Sequence, residues 1–539
     1  MEEVNDSHYK QLSQKKVFWI LLFILLIAFF LRIWGISFGL PGTDHGDETE
    51  VVNHAVRFGS GDFNPHRFQY GSLFQYILFV FYGAYFLVGY LLGSFSSVYQ
   101  FSLHFIQDPT VFYLIARGLS VFLGTATLGI TYLIGKRVKN EIVGLFASLF
   151  LAFCYESVVK SHYCTVDTAL TFFFALAVYQ CLFLFHKDNL ARYILAGFLI
   201  GLATAVKFNG IIATVAFVAV HLLKESNSNL LKKVLSQKLW LGIASIFLGH
   251  FIACPYFYID FNIALTEIVQ LEAFHSFSGF NLWIYIRELV KNYWGVPLGA
   301  LCALGFIRSI IPTNRKILVV FLTASVILCF ASIHKYVEAK YILYSFPLFA
   351  VLGSYLFVEC FGRMKVKYIS LIVLVMLVHP LCLIVNWDYE HARRSITLEA
   401  KEWIEKNISV NSRILLDNVG NAGPKLENSP DNLRHQHQRA IKHNLLKADY
   451  LKLKLENPNR IYYDIDQIDC PLGFREDDYS RYRLWQDVEE IGHLPEYYRK
   501  KGFEYIIVTD RYFSQMGKAF NLIKEFKGRH KGIRIYKVD

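Results

Sequence analysis

Long uncharged stretches, separated by short charged loops, occupy most of the chain up to about residue 386. The first stretch, residues 17–31, reads VFWILLFILLIAFFL and continues into RIWGISF. Together the two pieces exceed the roughly 20 residues that an apolar helix needs to cross a bilayer. From about residue 388 the polarity is that of a soluble protein. The pattern predicts an α-helical polytopic membrane domain over 1–387 and a soluble domain over 388–539.

Basic residues cluster in the short loops, and the positive-inside tendency places such loops in the cytoplasm. This predicts about eleven crossings, with a cytoplasmic N-terminus, an outward-facing first loop over 39–71 and an extracytoplasmic C-terminal domain. The apolar segment 72–94 is assigned to the membrane interface, because a crossing there would put the later basic loops outside. The crossings are predicted at 17–38, 111–135, 141–160, 168–186, 190–206, 208–224, 238–258, 293–311, 316–334, 341–361 and 367–386.

The C-terminal domain alternates strand-like and helical patterns. Strands are predicted at 412–419, 460–468, 503–510 and 533–539, and a helix over 488–502 that ends at a glycine. These elements predict a small α/β domain. Cys470 is the one cysteine of this domain among nine in the chain, so an internal disulfide is excluded there.

The net charge of +11 comes from loop lysines and arginines. It suits anionic membrane lipids rather than nucleic acid, which is not expected as a partner.

Acidic residues open the first outer loop, where His45, Asp47 and Glu48 follow Asp44. A helical apolar period continues to Phe58, so an amphipathic helix on the membrane is predicted, with acids in its first turn. A carboxylate here could act as a general base or hold a divalent ion such as Mg²⁺. The alternative is a helix cap without chemical function.

Further polar residues fall on the same predicted outer face. Asp167 stands where one span ends and the next begins, and it is either a helix cap or a functional acid. Lys207 is either a snorkelling lysine or a cation that faces a phosphate. The loop 332–347 adds three cations and several tyrosines, and phosphate binding is the favoured interpretation of His334, Lys335, Lys340 and Tyr341. His275 lies in a predicted amphipathic segment over 259–292, where it either faces a phosphate of the substrate or has a solvated or interfacial role.

The order of these motifs resembles the GT-C superfamily of glycosyltransferases, and it is similar to protein O-mannosyltransferases and lipid A aminoarabinose transferases. The resemblance covers most of the chain. The motifs that carry it are His45-Gly46-Asp47-Glu48, Ala55 to Gly61-Asp62, Ser161-His162-Tyr163, Asp167, Lys207-Phe208, Lys340-Tyr341, Ser345-Phe346-Pro347 and the segment ARRSITLEAKEWIEKNI.

The resemblance implies that Asp47 is the general base, with Glu48 beside it, and that Asp167, Lys207 and Lys340 line the cavity. Asp47, Glu48 and Asp167 are also the metal candidates. The sequence departs from the family's pattern at two places, one a cation and the other a residue that could bind a metal. Lys340 stands where the family often has arginine, and Gln69-Tyr70-Gly71 replaces the Glu-Lys-Pro of the aminoarabinose transferases, whose glutamate is a metal-site candidate.

The function implied is transfer of a sugar from a polyprenyl-phosphate donor to a hydroxyl of a glycan, lipid or protein acceptor, with inversion at C1. A bacterial inner membrane is the expected location. The alternative is a lipid or solute transporter or flippase with an extracytoplasmic domain. Against it, the polar groups gather at the outer mouth, and the segment pattern shows no obvious inverted repeat.

Overall fold

The computed structural model describes residues 13–43, 45–224, 229–274, 279–417, 423–442, 447–468, 488–489, 491–516, 520–528 and 532–538. Two compact units divide the chain. Unit 1 contains residues up to 36, 50–84 and 115–390, and unit 2 contains 37–49, 85–114 and the chain from 391 onward. The predicted boundary after residue 387 thus falls close to the junction at 390 and 391, while two N-terminal segments group with the C-terminal part.

Helices dominate the N-terminal three quarters of the chain. In chain order they are α1 (Gln14–Ile33), α2 (Gly46–Arg57), α3 (Leu73–Leu91), α4 (Val98–Gln107), α5 (Thr110–Val138), α6 (Glu141–Ala152), α7 (Tyr155–Ser161), α8 (Val166–Phe183), α9 (Leu190–Val206), α10 (Thr214–Leu223), α11 (Leu230–Val234), α12 (Gln237–Ala253), α13 (Pro255–Ile259), α14 (Phe261–Phe274), α15 (Leu282–Glu288), α16 (Val296–Arg308), α17 (Arg315–Ser332), α18 (Phe346–Phe361) and α19 (Val366–Ala392).

Eight helices in the described part of the chain are long and apolar enough to cross a membrane. The pair α6 and α7 would add a ninth span, bent by 64° at its break. Of the eleven predicted crossings, those at α9, α10 and α16 are shorter apolar helices. α3, predicted to lie at the interface, is among the eight by length and composition. The charge-based topology therefore stays a prediction.

Asparagine side chains begin several of these helices. Asn140, Asn189 and Asn314 each accept a hydrogen bond from a backbone N–H in the first turn, at 3.1, 3.0 and 3.0 Å respectively. These caps satisfy donors that a helix leaves unpaired at its N-terminus. They fix the starts of α6, α9 and α17.

The helices α9 and α12 pack with their backbones in contact. A Cβ atom at Gly197 would overlap the carbonyl of Gly242, and one at Gly249 would overlap the carbonyl of Phe198. Glycine removes the side chains that would otherwise hold two helices apart, as is common between membrane helices. The two helices therefore form a tightly joined pair that ends near Lys207 and Cys254.

Unit 2 contains a sheet whose strand order, in the described residues, is β3-β2-β1-β4-β6-β5. The strands β1, β2, β3 and β4 are parallel, and β6 is antiparallel to β4 and β5. The strands are β1 (Arg413–Leu416), β2 (Asp464–Ile468), β3 (Val488–Glu489), β4 (Tyr505–Thr509), β5 (Asn521–Lys527) and β6 (Gly532–Lys537). The helices of this region are α20 (Ile396–Asn407), α21 (Pro430–Lys442), α22 (Ala448–Glu456) and α23 (Pro495–Lys500).

Successive strand residues face opposite sides of this sheet. Ile414 packs with Ile404 of α20 on one face, whereas Leu415 packs with Tyr498 of α23 on the other. The four predicted strands are confirmed as β1, β2, β4 and β6. The predicted helix over 488–502 is wrong in its first part: two residues there pair as β3, and α23 begins only at Pro495, which suits the first helical turn. The predicted fold class, a helical membrane protein with a C-terminal α/β region, is confirmed.

Candidate functional site

A buried ion pair joins Asp167 and Lys207 in unit 1. Asp167 lies in the first turn of α8, and Lys207 follows the last residue of α9. Lys207 Nζ lies 2.8 Å from Asp167 Oδ1, and the residues are 9% and 4% exposed, respectively. Thr165 occupies the N-cap position of α8 without a side-chain capping hydrogen bond, and Asp167 lies two residues further along the helix. The Asp167 carboxylate fixes the position of a cation.

Local backbone geometry directs Lys207 away from its helix. Its φ and ψ of −157° and 137° are extended, and the chain then turns into a 3₁₀ helix over Phe208–Ala213. Gly210 permits this sharp turn, because a Cβ there would overlap the backbone of Ala203. Lys207 therefore lies just beyond the end of α9, where the Asp167 carboxylate of α8 holds its ammonium group.

Two tyrosine rings flank the Lys207 ammonium. Its Nζ lies 5.7 Å from the ring centroid of Tyr70 and 5.8 Å from that of Tyr341. The Nζ of Lys340 lies 5.6 Å from the same Tyr341 ring and 3.1 Å from a Glu338 carboxylate oxygen. Cation–π contacts of this kind stabilise a desolvated ammonium group. Lys207, Lys340 and Tyr341, predicted as site residues, are therefore brought together.

A third acid–base pair belongs to the same region. Lys160 of α7 lies 3.6 Å from Glu156 and 6.0 Å from the ring centroid of Tyr163. Lys160 and Lys340 both act electrostatically on the Asp167 carboxylate. Lys160 was not among the predicted site residues, although it directly precedes the Ser161-His162-Tyr163 motif. The cluster of Glu156, Lys160, Asp167, Lys207, Glu338 and Lys340, here called the outer charge cluster, balances its charges within itself.

The loop after α17 divides its predicted residues between two environments. His334 is buried, its ring lies 5.5 Å from the Tyr341 ring, and its carbonyl accepts a 2.9 Å hydrogen bond from Asn281. Lys335 is exposed, with its ammonium 5.4 Å from the ring of its neighbour Tyr336. His334 thus joins the site, whereas Lys335 lies at its surface.

The acidic residues of the first loop open α2, as predicted, and they belong to unit 2. The Asp47 N–H donates to His45 Nδ1 over 3.2 Å. The Glu48 side chain is wholly buried, whereas Asp47 is partly accessible to solvent. Asp47 is therefore the better placed of the two to meet a substrate. Asp44 and the predicted site residue His275 lie outside the described residues.

Ion pairs hold the remainder of the first loop together within unit 1. Arg57 and His66 bind the Asp62 carboxylate at 3.0 and 2.8 Å. Burial opposes ionisation of Asp62, but hydrogen bonds from His66, the Asn64 N–H and Arg57 outweigh it and lower the pKa of that carboxyl. These contacts give the loop a folded structure of its own.

The position of Tyr70 depends on the residues that follow it. The Ser72 N–H donates to Cys254 Sγ over 3.1 Å, and Cys254 Sγ in turn donates to the Ala205 carbonyl over 3.4 Å. Gly71 lies directly against Ala205, so that a Cβ there would overlap the Ala205 carbonyl. This fastening fixes Tyr70 beside Lys207, in a stretch where the aminoarabinose transferases carry Glu-Lys-Pro.

A second buried charge cluster lies at the ends of α1, α7 and α19. His162 Nε2 is 3.5 Å from Asp388 Oδ1, and neither side chain is exposed. His162 Nδ1 is 2.9 Å from the Val158 carbonyl oxygen, and Nε2 is 3.0 Å from that of Trp34. His162 belongs to a motif of the resemblance, but its partner Asp388 was not predicted.

The predicted divalent ion has no complete ligand set in the described part of the chain. There, no three His, Cys, Asp or Glu side chains lie close enough together to hold a metal ion. The expectation of a metal stays a prediction.

Comparisons with known proteins bear on the fold. The family model described as dolichyl-phosphate-mannose-protein mannosyltransferase matches residues 113–256, which include Lys160, Asp167 and Lys207. The crystal structure of ArnT from Cupriavidus metallidurans bound to undecaprenyl phosphate is similar, with a TM-score of 0.55 and 12% identity over 98% of this chain and 99% of that chain. Its apo state gives 0.54 and 13% identity over 97% and 98%, respectively.

Comparison with curated protein sequences finds no match. At these identities the likeness to solved structures shows the fold. The predicted resemblance is confirmed. The chain has the fold of the GT-C superfamily of membrane glycosyltransferases.

Proposed function

We propose that this protein transfers a sugar from a polyprenyl-phosphate donor to an acceptor hydroxyl at the outer face of a membrane. The observation that carries the proposal is the buried Lys207, held by Asp167 between two tyrosine rings. A fixed, poorly hydrated cation suits a phosphate leaving group, because charge interactions strengthen where water is excluded. The GT-C fold and the mannosyltransferase family match support the same class of donor.

The acceptor hydroxyl would attack C1 of the sugar from the face opposite the phosphate. Asp47 would take the hydroxyl proton as the new O–C1 bond forms. The C1–O bond to the phosphate would break at the same time, and its electron pair would leave with the phosphate. One displacement inverts the configuration at C1. Assistance by a general base contributes about 10²–10⁴-fold in such reactions.

The outer charge cluster explains how the negative charge of the released lipid phosphate would be met. Lys207 and Lys340 share the Tyr341 ring, and each already has a carboxylate partner. The carboxylates hold the ammonium groups in place before the donor arrives, so little reorganisation is needed when the phosphate leaves. His334, packed on the same ring, would add a further donor.

The test is sugar release by the purified protein with a panel of polyprenyl-phosphate sugars, for the wild type, Asp47→Asn and Asp431→Asn. Asp431 is a control, because its side chain is 86% exposed in the same unit. We expect one donor to be turned over by the wild type and the control but not by Asp47→Asn. No turnover of any donor by well-folded wild-type protein would instead favour a transporter or flippase.

A further inference from the structure

Basic side chains converge at the end of unit 1 that lies away from the outer charge cluster. Asp167 and Phe183 stand at opposite ends of α8, about 24 Å apart at a rise of about 1.5 Å per residue. Around Phe183 lie Arg137 at the end of α5, Arg192 at the start of α9, and Lys316 at the start of α17. Together with His186, these three residues are here called the distal basic cluster.

Two arginines share one aromatic ring in this cluster. The guanidinium carbon of Arg137 lies 3.8 Å from the Phe183 ring centroid, and that of Arg192 lies 4.6 Å from it. Arg137 also donates to the Tyr179 hydroxyl over 3.3 Å, and Lys316 donates to the Arg137 carbonyl over 2.8 Å. The ring of His186 stacks on Phe183 at 6.4 Å.

The acids at this end are already paired with other lysines and arginines. Glu141 binds Lys136 at 2.9 Å, and Asp188 binds Lys224 at 2.6 Å and Lys238 at 3.3 Å. Among the described residues, no carboxylate forms an ion pair with any member of the distal basic cluster. Burial, and then the charges of Lys316 and Arg137, lower the pKa of His186, as expected where cations crowd together without an acid.

A buried hydrogen-bond donor of Arg137 also indicates that the distal basic cluster can bind an anion. The Arg137 Nε hydrogen is buried and has no acceptor within the described structure. A guanidinium group offers several N–H donors in one plane, which suits the oxygens of a phosphate. Crowded like charges and an unused buried donor are both relieved when an anion binds between them.

We propose that the distal basic cluster binds the phosphate of an anionic phospholipid headgroup. The site lies at the ends of membrane helices, where headgroups are found, and basic pockets between such helices suit acidic lipids. The neighbouring surface of α9 exposes Leu190, Ile194 and Leu195, which acyl chains would cover. The site is separate from the sugar-transfer site and does not depend on the proposed function.

Native mass spectrometry of the purified full chain in detergent tests the proposal, with short-chain phosphatidylglycerol and phosphatidylcholine as probes. The test variant is the double change Arg137→Gln with Lys316→Gln. The control is Lys232→Gln with Lys365→Gln, which removes the same charge from exposed residues at the same end, one in α11 and one just before α19. We expect wild type and control to bind phosphatidylglycerol in preference to phosphatidylcholine, and the test variant to bind it about 30-fold more weakly.

Equal phosphatidylglycerol binding by wild type and test variant would overturn the proposal. Glycerol phosphate, which lacks acyl chains, distinguishes the two sources of phosphate: competition at equal concentration would overturn the lipid assignment in favour of a soluble phosphate. Should the double variant fail to fold, Arg192→Gln replaces it. That change removes one partly exposed guanidinium from the Phe183 ring, and unchanged binding would again contradict the site.

Discussion

His162 and Asp388 form an ion pair in a region without solvent access, where the imidazole Nε2 lies 3.5 Å from a carboxylate oxygen. Both ring nitrogens of His162 also face backbone carbonyl oxygens, which only accept hydrogen bonds. For both contacts to be hydrogen bonds, both nitrogens must carry hydrogen, and the ring is then a cation. Asp388 supplies its counter-charge and thereby links the last membrane helix, α19, to the end of α7.

Replacing Asp388 leaves the His162 ring without its carboxylate partner, and replacing His162 leaves Asp388, within the described part of the chain, with only the electrostatic attraction of the buried Arg32. We expect Asp388→Asn and His162→Gln each to lower the free energy of unfolding by about 3–5 kcal/mol. The double variant should lose less than the sum of the two, since both single changes remove the same interaction, and the buried Arg32 then lacks the Asp388 carboxylate in both Asp388 variants. Denaturant or thermal unfolding in detergent measures the three values. Strictly additive losses would mean that the two side chains act independently.

Lys207 is expected to matter for turnover as well as for folding, because its loss also leaves the buried Asp167 carboxylate without its ion-pair partner. Lys207→Met removes a fixed cation beside the leaving phosphate, and we expect kcat to fall by about 10²–10³-fold. Lys207→Arg keeps the charge and should retain part of the activity. Lys335→Met is the matched control, because Lys335 is exposed at the surface of the same region. A similar loss in the control variant would indicate a general charge effect rather than a specific position.

Gly71 is expected to tolerate no side chain. An alanine Cβ would overlap the carbonyl of Ala205, which is backbone and has no alternative position. We expect Gly71→Ala to cost on the order of 1–3 kcal/mol of stability and to lower sugar transfer, since Tyr70 would shift from Lys207. Gly59→Ala, where a Cβ meets nothing within 4 Å, should change stability by less than about 0.5 kcal/mol. Unfolding midpoints of the two variants give the comparison.

His54 predicts a loss of stability in mild acid. Burial, opposed by a 2.7 Å contact with the Glu50 carbonyl and assisted by nearby Arg67 and Arg57, lowers the pKa of His54 from 6.5 to about 4. Between pH 6.5 and about 4, the His54 ring is therefore protonated in the unfolded state but largely neutral in the folded state. The contribution of neutral His54 to the free energy of unfolding is fully present above pH 6.5 and is lost as the pH falls towards about 4.

The measurement is the melting temperature of wild type and His54→Gln between pH 7.5 and pH 4.5. We expect the wild type to lose more stability than the variant across this window, because glutamine takes up no proton. Parallel profiles for the two proteins would assign the acid sensitivity to other groups.

The sequence predicted the residue types of the site better than their partners. Asp167 and Lys207 were expected on one face because of loop charge, but their contact depends on how α8 packs beside α9, which no local pattern encodes. Lys160 was missed because a lysine near a helix end is ordinary in a membrane protein. Asp388 was missed because its partner is distant in sequence, and its meaning depends on burial.

The C-terminal sheet shows the same limit at the level of single strands. The strands β1, β2, β4 and β6 carry buried runs and were predicted. The edge strand β5 alternates exposed and half-buried residues, so its sequence, NLIKEFK, gave no distinctive signal. β3 is a two-residue pairing in the described structure and is too short for any periodicity.

The glycine contacts between α9 and α12 limit how a lipid substrate reaches the site. Where the Gly197 and Gly249 backbones touch the facing helix, no gap remains for a hydrocarbon chain. The packed pair of α9 and α12 therefore leaves no opening between these two helices, and Lys207 lies at the end of α9. If the donor is the proposed polyprenyl phosphate, its tail would not pass between α9 and α12 when its phosphate meets Lys207, and this would restrict the orientation of the incoming donor.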